Sequence, residues 1–157
     1  MIKKFAFIVA VLFIATTGYA MSYTDNGVVN IDSCYVTDMH ALVSGDVVVL
    51  QTTSPTYWGR EVTGSTTADQ VIHGVVLGEY TTSQCKAGTW IRVQTYGYCP
   101  IVKVVRNSAI TLLNTRLATS GTVFRASGAS TTSGNTVALE SVTSPKDTTT
   151  IKAYLGH

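Results

Sequence analysis

Charge is scarce in this chain: Asp, Glu, Lys and Arg make up 13% of it, about half the share usual in globular proteins. What charge there is nearly cancels. Lys and Arg number 11 against 9 Asp and Glu, and Lys3 and Lys4 lie in the first twenty residues, so the remainder balances at 9 against 9. A chain without a basic stripe lacks the electrostatic footprint of a nucleic-acid binder, and no nucleic-acid partner is expected. The motifs of catalysis are missing as well. There is no Gly-Xaa-Ser-Xaa-Gly elbow, no phosphate loop, no His pair at helical spacing and no Cys-Xaa-Xaa-Cys. Histidine is limited to His40, His73 and His157. His73, inside "VIHGVVL", reads as a core or edge residue, and Asp38 with His40 offers two ligand-type side chains without a third. The expectation is therefore no catalytic residue, no metal and no cofactor.

Long apolar runs are also lacking, with one exception. "MIKKFAFIVAVLFIATTGYA" places Lys3 and Lys4 before an apolar stretch from Phe5 to Ala15, followed by small residues at Gly18 and Ala20. That is the anatomy of a secretory leader. The apolar part is about eleven residues, whereas a bilayer needs roughly 20, so no stable membrane insertion is expected after leader removal. Residues 1–20 are read as a signal-peptide-like leader or an apolar N-terminal arm, and residues 21–157 as a single β domain.

What is present is period-two patterning. "GDVVVLQTT" (45–53), "REVTGS" (60–65), "VIHGVVLGEY" (71–80), "TWIRVQTYGY" (89–98) and "IVKVV" (101–105) are β-branched runs separated by turn residues. No convincing helical stripe occurs, and "SAITLLNTRL" (108–117) reads equally as a helical turn or a strand. An internal echo joins the two halves. In the first half, "GDVVVLQTTSP", "REVTGSTTADQ", "VIHGVVLGEYTTS" and "GTWIRVQTYG" follow one another. In the second, "NTRLATSG", "TVFRASGASTTSG", "NTVALESVTSP" and "DTTTIKAYLG" repeat the order. The expected fold is all-β, a small antiparallel β-barrel or sandwich built from two pseudo-repeated four-strand halves.

The cysteines are Cys34, Cys85 and Cys99. In an exported protein they imply one disulfide and one spare thiol. A straight strand between Cys85 and Cys99 would part them by roughly 33 Å, so Cys34 is the favoured partner of either Cys99 or Cys85. In a reducing compartment the same three residues would be buried free thiols.

One strand stands apart. In "GTWIRVQTYGYCP" (88–100), Ile91, Val93, Thr95 and Cys99 share one face, and Trp90, Arg92, Gln94, Tyr96 and Tyr98 share the other. Trp, Tyr and Arg dominate protein interfaces, so the second row is a candidate contact surface. Tyr57 and Trp58 in "TSPTYWGRE" (53–61), on what reads as a hairpin tip, are a second candidate.

The order "GDVVVL…TT…REV…TTADQVIHGVVLGE…GTWIRVQTYGYCPIVKV", with "TTTIKAYLG" at the end, resembles the small β-rich capsid decoration, or cement, proteins of tailed bacteriophages over roughly residues 42–155. The resemblance implies a non-enzymatic virion protein on the capsid exterior, a trimeric homo-oligomer clasping the major capsid protein where capsomers meet. The leader and the cysteines depart from that pattern and favour an alternative: a secreted bacterial β-rich surface protein, adhesin or filament subunit. A secreted enzyme or sugar-binding module would use Trp58 and Trp90 as stacking platforms, but no catalytic carboxylate pair accompanies them.

Overall fold

The computed structural model describes residues 28–53, 55–105, 109–110, 116–122, 124–129, 135–146 and 149–156. The leader read over residues 1–20 lies outside them, as do residues 108 and 111–115 of "SAITLLNTRL". The elements in chain order are β1 (Asn30–Val36), β2 (Val47–Leu50), β3 (Glu61–Thr63), β4 (Gly74–Val76), helix α1 (Thr82–Ala87), β5 (Thr89–Lys103), β6 (Arg116–Thr119), β7 (Ala126–Gly128), β8 (Thr136–Ala138) and β9 (Thr150–Leu155). Among the described residues the fold is all-β apart from α1, as the patterning predicts. The run at 89–98 and the first three residues of the run at 101–105 prove to be one strand, β5, with an irregularity between Cys99 and Val102. Pro100 falls there, where a residue without an N–H disturbs the ladder least.

The strands follow the order β1-β3-β2-β4-β5-β9-β8-β6-β7, and β1 also pairs with β5. That pairing closes β1, β3, β2, β4 and β5 into a five-stranded barrel, with β9, β8, β6 and β7 bonded outside it. Only the β1–β3 pair within the barrel is parallel. Closure removes the open edges that would otherwise template unwanted pairing.

The internal echo is a repeat of topology. The path β3-β2-β4-β5 in the first half is matched by β7-β6-β8-β9 in the second, all antiparallel. Register agrees too: Val75 opposite Gln94 and Val76 opposite Val93 correspond to Val137 opposite Tyr154 and Ala138 opposite Ala153. The bridge Leu42–Tyr80 corresponds to Ile110–Val142, and the parallel pairing of Val36 with Val62 corresponds to the parallel bridge of Val104 with Ala126. β5 therefore serves twice. Its first part pairs with β1 and completes the first barrel, and its last part, Gly97 to Lys103, pairs with β9 in the place that β1 holds in the first half.

Each half has its own core. Val36, Leu42, Val48, Val62, Val76, Ile91 and Val93 pack in the first. Their topological counterparts Val104, Ile110, Leu117, Ala126, Ala138, Ile151 and Ala153 pack in the second. Val47 and Val75, on the outer faces of β2 and β4, join the second core, and Phe124 of the second half joins the first. The halves are thus interlocked, which is why all of β4 and three of the four residues of β2 are buried. A further tie is ionic: buried Asp46 meets Lys103 at 2.9 Å and Arg125 at 2.7 Å.

Candidate functional site

Burial along β5 separates its two faces. Ile91, Val93, Thr95, Gly97 and Cys99 are buried, while Trp90, Arg92 and Tyr98 are exposed and Tyr96 is half-buried. Gln94 departs from the expected contact row. It is buried, and its Nε2 donates to the carbonyls of Tyr96 at 3.3 Å and Tyr98 at 2.7 Å. An amide that satisfies two carbonyls of its own strand braces the backbone and is not available to a partner.

At one end of the row the aromatics gather. Tyr35 on β1 lies opposite Trp90 on β5, with ring centroids 5.5 Å apart. Tyr57, from the β2–β3 connection, sits 4.7 Å from Tyr35 and 5.1 Å from Trp90. The edge-to-face and tilted arrangements are those that aromatic quadrupoles favour. The connection is held in place by Glu61, a buried carboxylate whose Oε2 accepts from the N–H groups of Thr56 at 2.5 Å and Tyr57 at 3.2 Å. Arg60 O accepts from Tyr35 N at 2.7 Å, which pins the loop to β1. The anchored loop displays Trp58 at its tip with 77% of its surface exposed.

Gly88 completes this end. The capping box of α1, in which Thr81 and Gln84 bond reciprocally, starts the helix, and Gly88 ends it at φ 83°. A Cβ at this position would collide with the hydroxyl of Tyr35. Glycine is therefore required both by the backbone angle and by the ring lying over it.

At the other end, Tyr98 lies opposite Tyr154 on β9, and Tyr96 packs against Tyr154 with centroids 5.6 Å apart. The hydrogen bond to Tyr96 raises the pKa of the Tyr154 hydroxyl above its ordinary value. Beside them, Lys152 and Glu140 form an exposed ion pair at 2.7 Å, which lowers the pKa of Glu140 and raises that of Lys152. The expected contact residues thus form two aromatic groups on one outward face. Trp90 and Tyr57 belong to the first, Tyr96 and Tyr98 to the second, Arg92 lies between, and Trp58 stands exposed next to Tyr57 in the loop.

The polar candidates have structural roles. Asp38 accepts from His40 N and pairs with His40 Nδ1 at 2.8 Å, while its other oxygen accepts from Thr63 Oγ1 and Gly64 N. It ties the loop after β1 to β3. Among the described residues no three His, Cys, Asp or Glu side chains are grouped to hold a metal. The half-buried His73 donates its backbone N–H to Val48 O. It borders both a groove of about 520 Å³, with Val49, Leu50, Val71 and Ile72, and a polar pocket of about 280 Å³, with Arg60 and Cys34.

The disulfide expected from Cys34 to Cys99 or Cys85 is not formed: all three cysteines are free and buried. Cys34 belongs to the first core with Cys85, and Cys99 to the second. Burial raises all three thiol pKa values. That of Cys34 reaches about 11, through desolvation first and the charge of Asp32 second, with Arg60 opposing. His73 Nε2 lies 4.0 Å from Cys34 Sγ, but a thiol held protonated is not a nucleophile.

Tyr35 and Tyr154 are not among the residues that the sequence points to, although the alternation of Cys34 and Val36 around Tyr35 carries the signal of strand β1. Comparison with protein-family models, curated proteins and solved structures finds no match, and the candidate site is the aromatic outward face of β5 with its flanking loop.

Proposed function

We propose that the protein is a non-enzymatic structural protein that docks through the outward face of β5, acting as a capsid decoration or cement protein on the exterior of a virion. The observation that carries the reading is the exposed aromatic group of Trp58, Trp90 and Tyr57 on a braced loop and a strand of a closed barrel. Aromatic anchors on a rigid scaffold lose little entropy on binding and supply the residue types that dominate hot spots. The interlocked halves favour a subunit that bears load without opening. The major capsid protein and further copies of this chain are the proposed partners, with a trimer as the form that the resemblance implies.

The second reading, a secreted β-rich surface, adhesin or filament subunit, draws on the leader-like residues 1–20. Intact mass of the native product separates the two: a chain beginning after Ala20 favours export, and one beginning at Met1 or Ile2 favours the virion. The docking reading is tested by co-sedimentation with empty shells of the proposed partner, the major capsid protein of the same virion. Wild type pellets with the shells and Trp58→Ala remains largely in the supernatant. Wild type that stays in solution with shells present overturns the capsid reading.

A further inference from the structure

The first barrel has a mouth that stands apart from the aromatic face. β1 and β4 both run antiparallel to β5, and β3 runs parallel to β1, so these three strands begin at the same end. β1 reaches furthest there. Its pairing with β3 starts only at Tyr35 opposite Glu61, whereas residues 31–34 pair with β5 alone among the described strands. The slot left beside them is the polar pocket of about 280 Å³, lined by Asp32, Ser33 and Cys34 of β1, by Gly59 and Arg60 leading into β3, and by His73 leading into β4. None of the contact candidates on β5 or at the loop tip lines it. The mouths of β-barrels are among the places where proteins bind small molecules.

The pocket holds charge of both signs, and the two do not meet. Asp32 Oδ2 accepts from Thr95 Oγ1 at 2.7 Å, and neither Asp32 nor Arg60 forms an ion pair with the other or with another described residue. Both side chains are exposed at the rim. They act on one point beneath it: desolvation has the largest effect on the buried Cys34 thiol, and the charges of Asp32 and Arg60 follow with opposite signs. His73 Nε2 lies 4.0 Å from the same sulfur. The main chain contributes as well. Tyr35 N donates to Arg60 O, and because main-chain groups alternate in direction along a strand, those of Ser33 turn to the same side, where β3 has not yet begun.

We infer that the mouth of the first barrel binds a small zwitterion, a molecule carrying one carboxylate and one ammonium group. A simple anion is repelled by Asp32 and a simple cation by Arg60, whereas a ligand with both signs answers both residues. Its carboxylate goes to the guanidinium of Arg60, whose fork suits two parallel hydrogen bonds to a carboxylate. Its ammonium goes to Asp32, which keeps one oxygen free of Thr95. Ser33 offers a main-chain donor and acceptor between them. The site goes beyond the docking reading and does not depend on it.

The test uses a series of ω-amino acids from glycine to 6-aminohexanoate, which varies the span between the two charges. Each is titrated into the full chain beside its two single-charge counterparts, the carboxylate without the amine and the amine without the carboxylate, while the imidazole resonances of His73 and the amide of Ser33 are followed by NMR. One length is expected to shift both residues and to bind about tenfold or more tightly than either counterpart. Asp32→Asn, which keeps an acceptor for Thr95, and Arg60→Gln should each weaken that binding about tenfold or more at an unchanged melting temperature. No shift with any member of the series overturns the inference, and so does a counterpart that binds as well as the zwitterion, which would make the mouth a simple anion or cation site. Those comparisons need no variant. Binding that persists in both variants also overturns it, because the ligand then sits elsewhere. Failure of the shell-binding experiment would remove the capsid and leave this site standing.

Discussion

Asp46 Oδ1 lies 2.7 Å from Nη1 of Arg125, and this contact joins the turn before β2 to the segment before β7, across the two halves of the molecule. The same oxygen meets Lys103 at 2.9 Å, while Oδ2 accepts from Val43 N at 2.8 Å. One buried carboxylate therefore organises its own turn, the shared strand and the second half.

Replacing Asp46 with Ala is expected to cost about 2–4 kcal/mol in urea unfolding, because two partly buried cations lose their counter-charge and Val43 loses its acceptor. Arg125→Ala should cost less, since Asp46 keeps Lys103. Equal small losses below about 0.5 kcal/mol for both variants would show that the contact carries no weight.

The two faces of β5 should respond oppositely to truncation. Val93→Ala removes fully buried atoms from the first core and should destabilise by roughly 1–3 kcal/mol. Arg92→Ala and Trp58→Ala remove exposed side chains and should leave the melting temperature within a degree or two while weakening assembly by roughly 1–4 kcal/mol. Unfolding caused by Trp58→Ala would make the loop part of the core.

Gln94→Ala distinguishes a brace from a contact. Loss of the amide leaves the carbonyls of Tyr96 and Tyr98 without that donor and should cost about 1–2 kcal/mol of stability. Normal stability combined with lost assembly would return Gln94 to the contact row.

Gly88→Ala is expected to lower stability by roughly 1–3 kcal/mol, through its positive φ and the displaced Tyr35 ring. Tryptophan fluorescence should shift at the same time, because Tyr35 packs on Trp90. A loss of stability with unchanged emission would confine the effect to the backbone.

Alkaline pH tests the buried thiol. Cys34 has its pKa raised from 9.0 to about 11, so folding favours the protonated form. Its contribution is full below pH 9 and is lost as pH rises towards 11, by at most roughly 2–3 kcal/mol. Cys34→Ala should flatten the fall in melting temperature over that window. An identical fall in wild type and variant would assign it to other groups.

Much of this was legible from residues alone, because a strand's period of two is local. The alternation of Ile91, Val93 and Thr95 with Trp90 and Arg92 identified the buried and exposed faces of β5, and the repeated order of strand-like runs marked two halves of one topology. Short-range polar signals were weaker. The capping box of Thr81 and Gln84 is written in the sequence, but the six helical residues that follow it carry too little periodicity to stand out.

Other features depend on distant partners, which no local pattern reveals. Gln94 sits in the exposed register, yet its amide turns back on carbonyls further along its own strand and is buried. β5 closes one barrel and continues into a second sheet, which only the non-local pairings with β1 and β9 establish. Tyr35, Tyr57 and Trp90 come from separate parts of the chain and meet because barrel closure sets β1 beside β5 and Glu61 holds the loop across both. Composition and periodicity determined the class of fold and the faces of its central strand. Closure of the barrel determined which side chains became neighbours, because contact between residues far apart in sequence is set by the path of the whole chain.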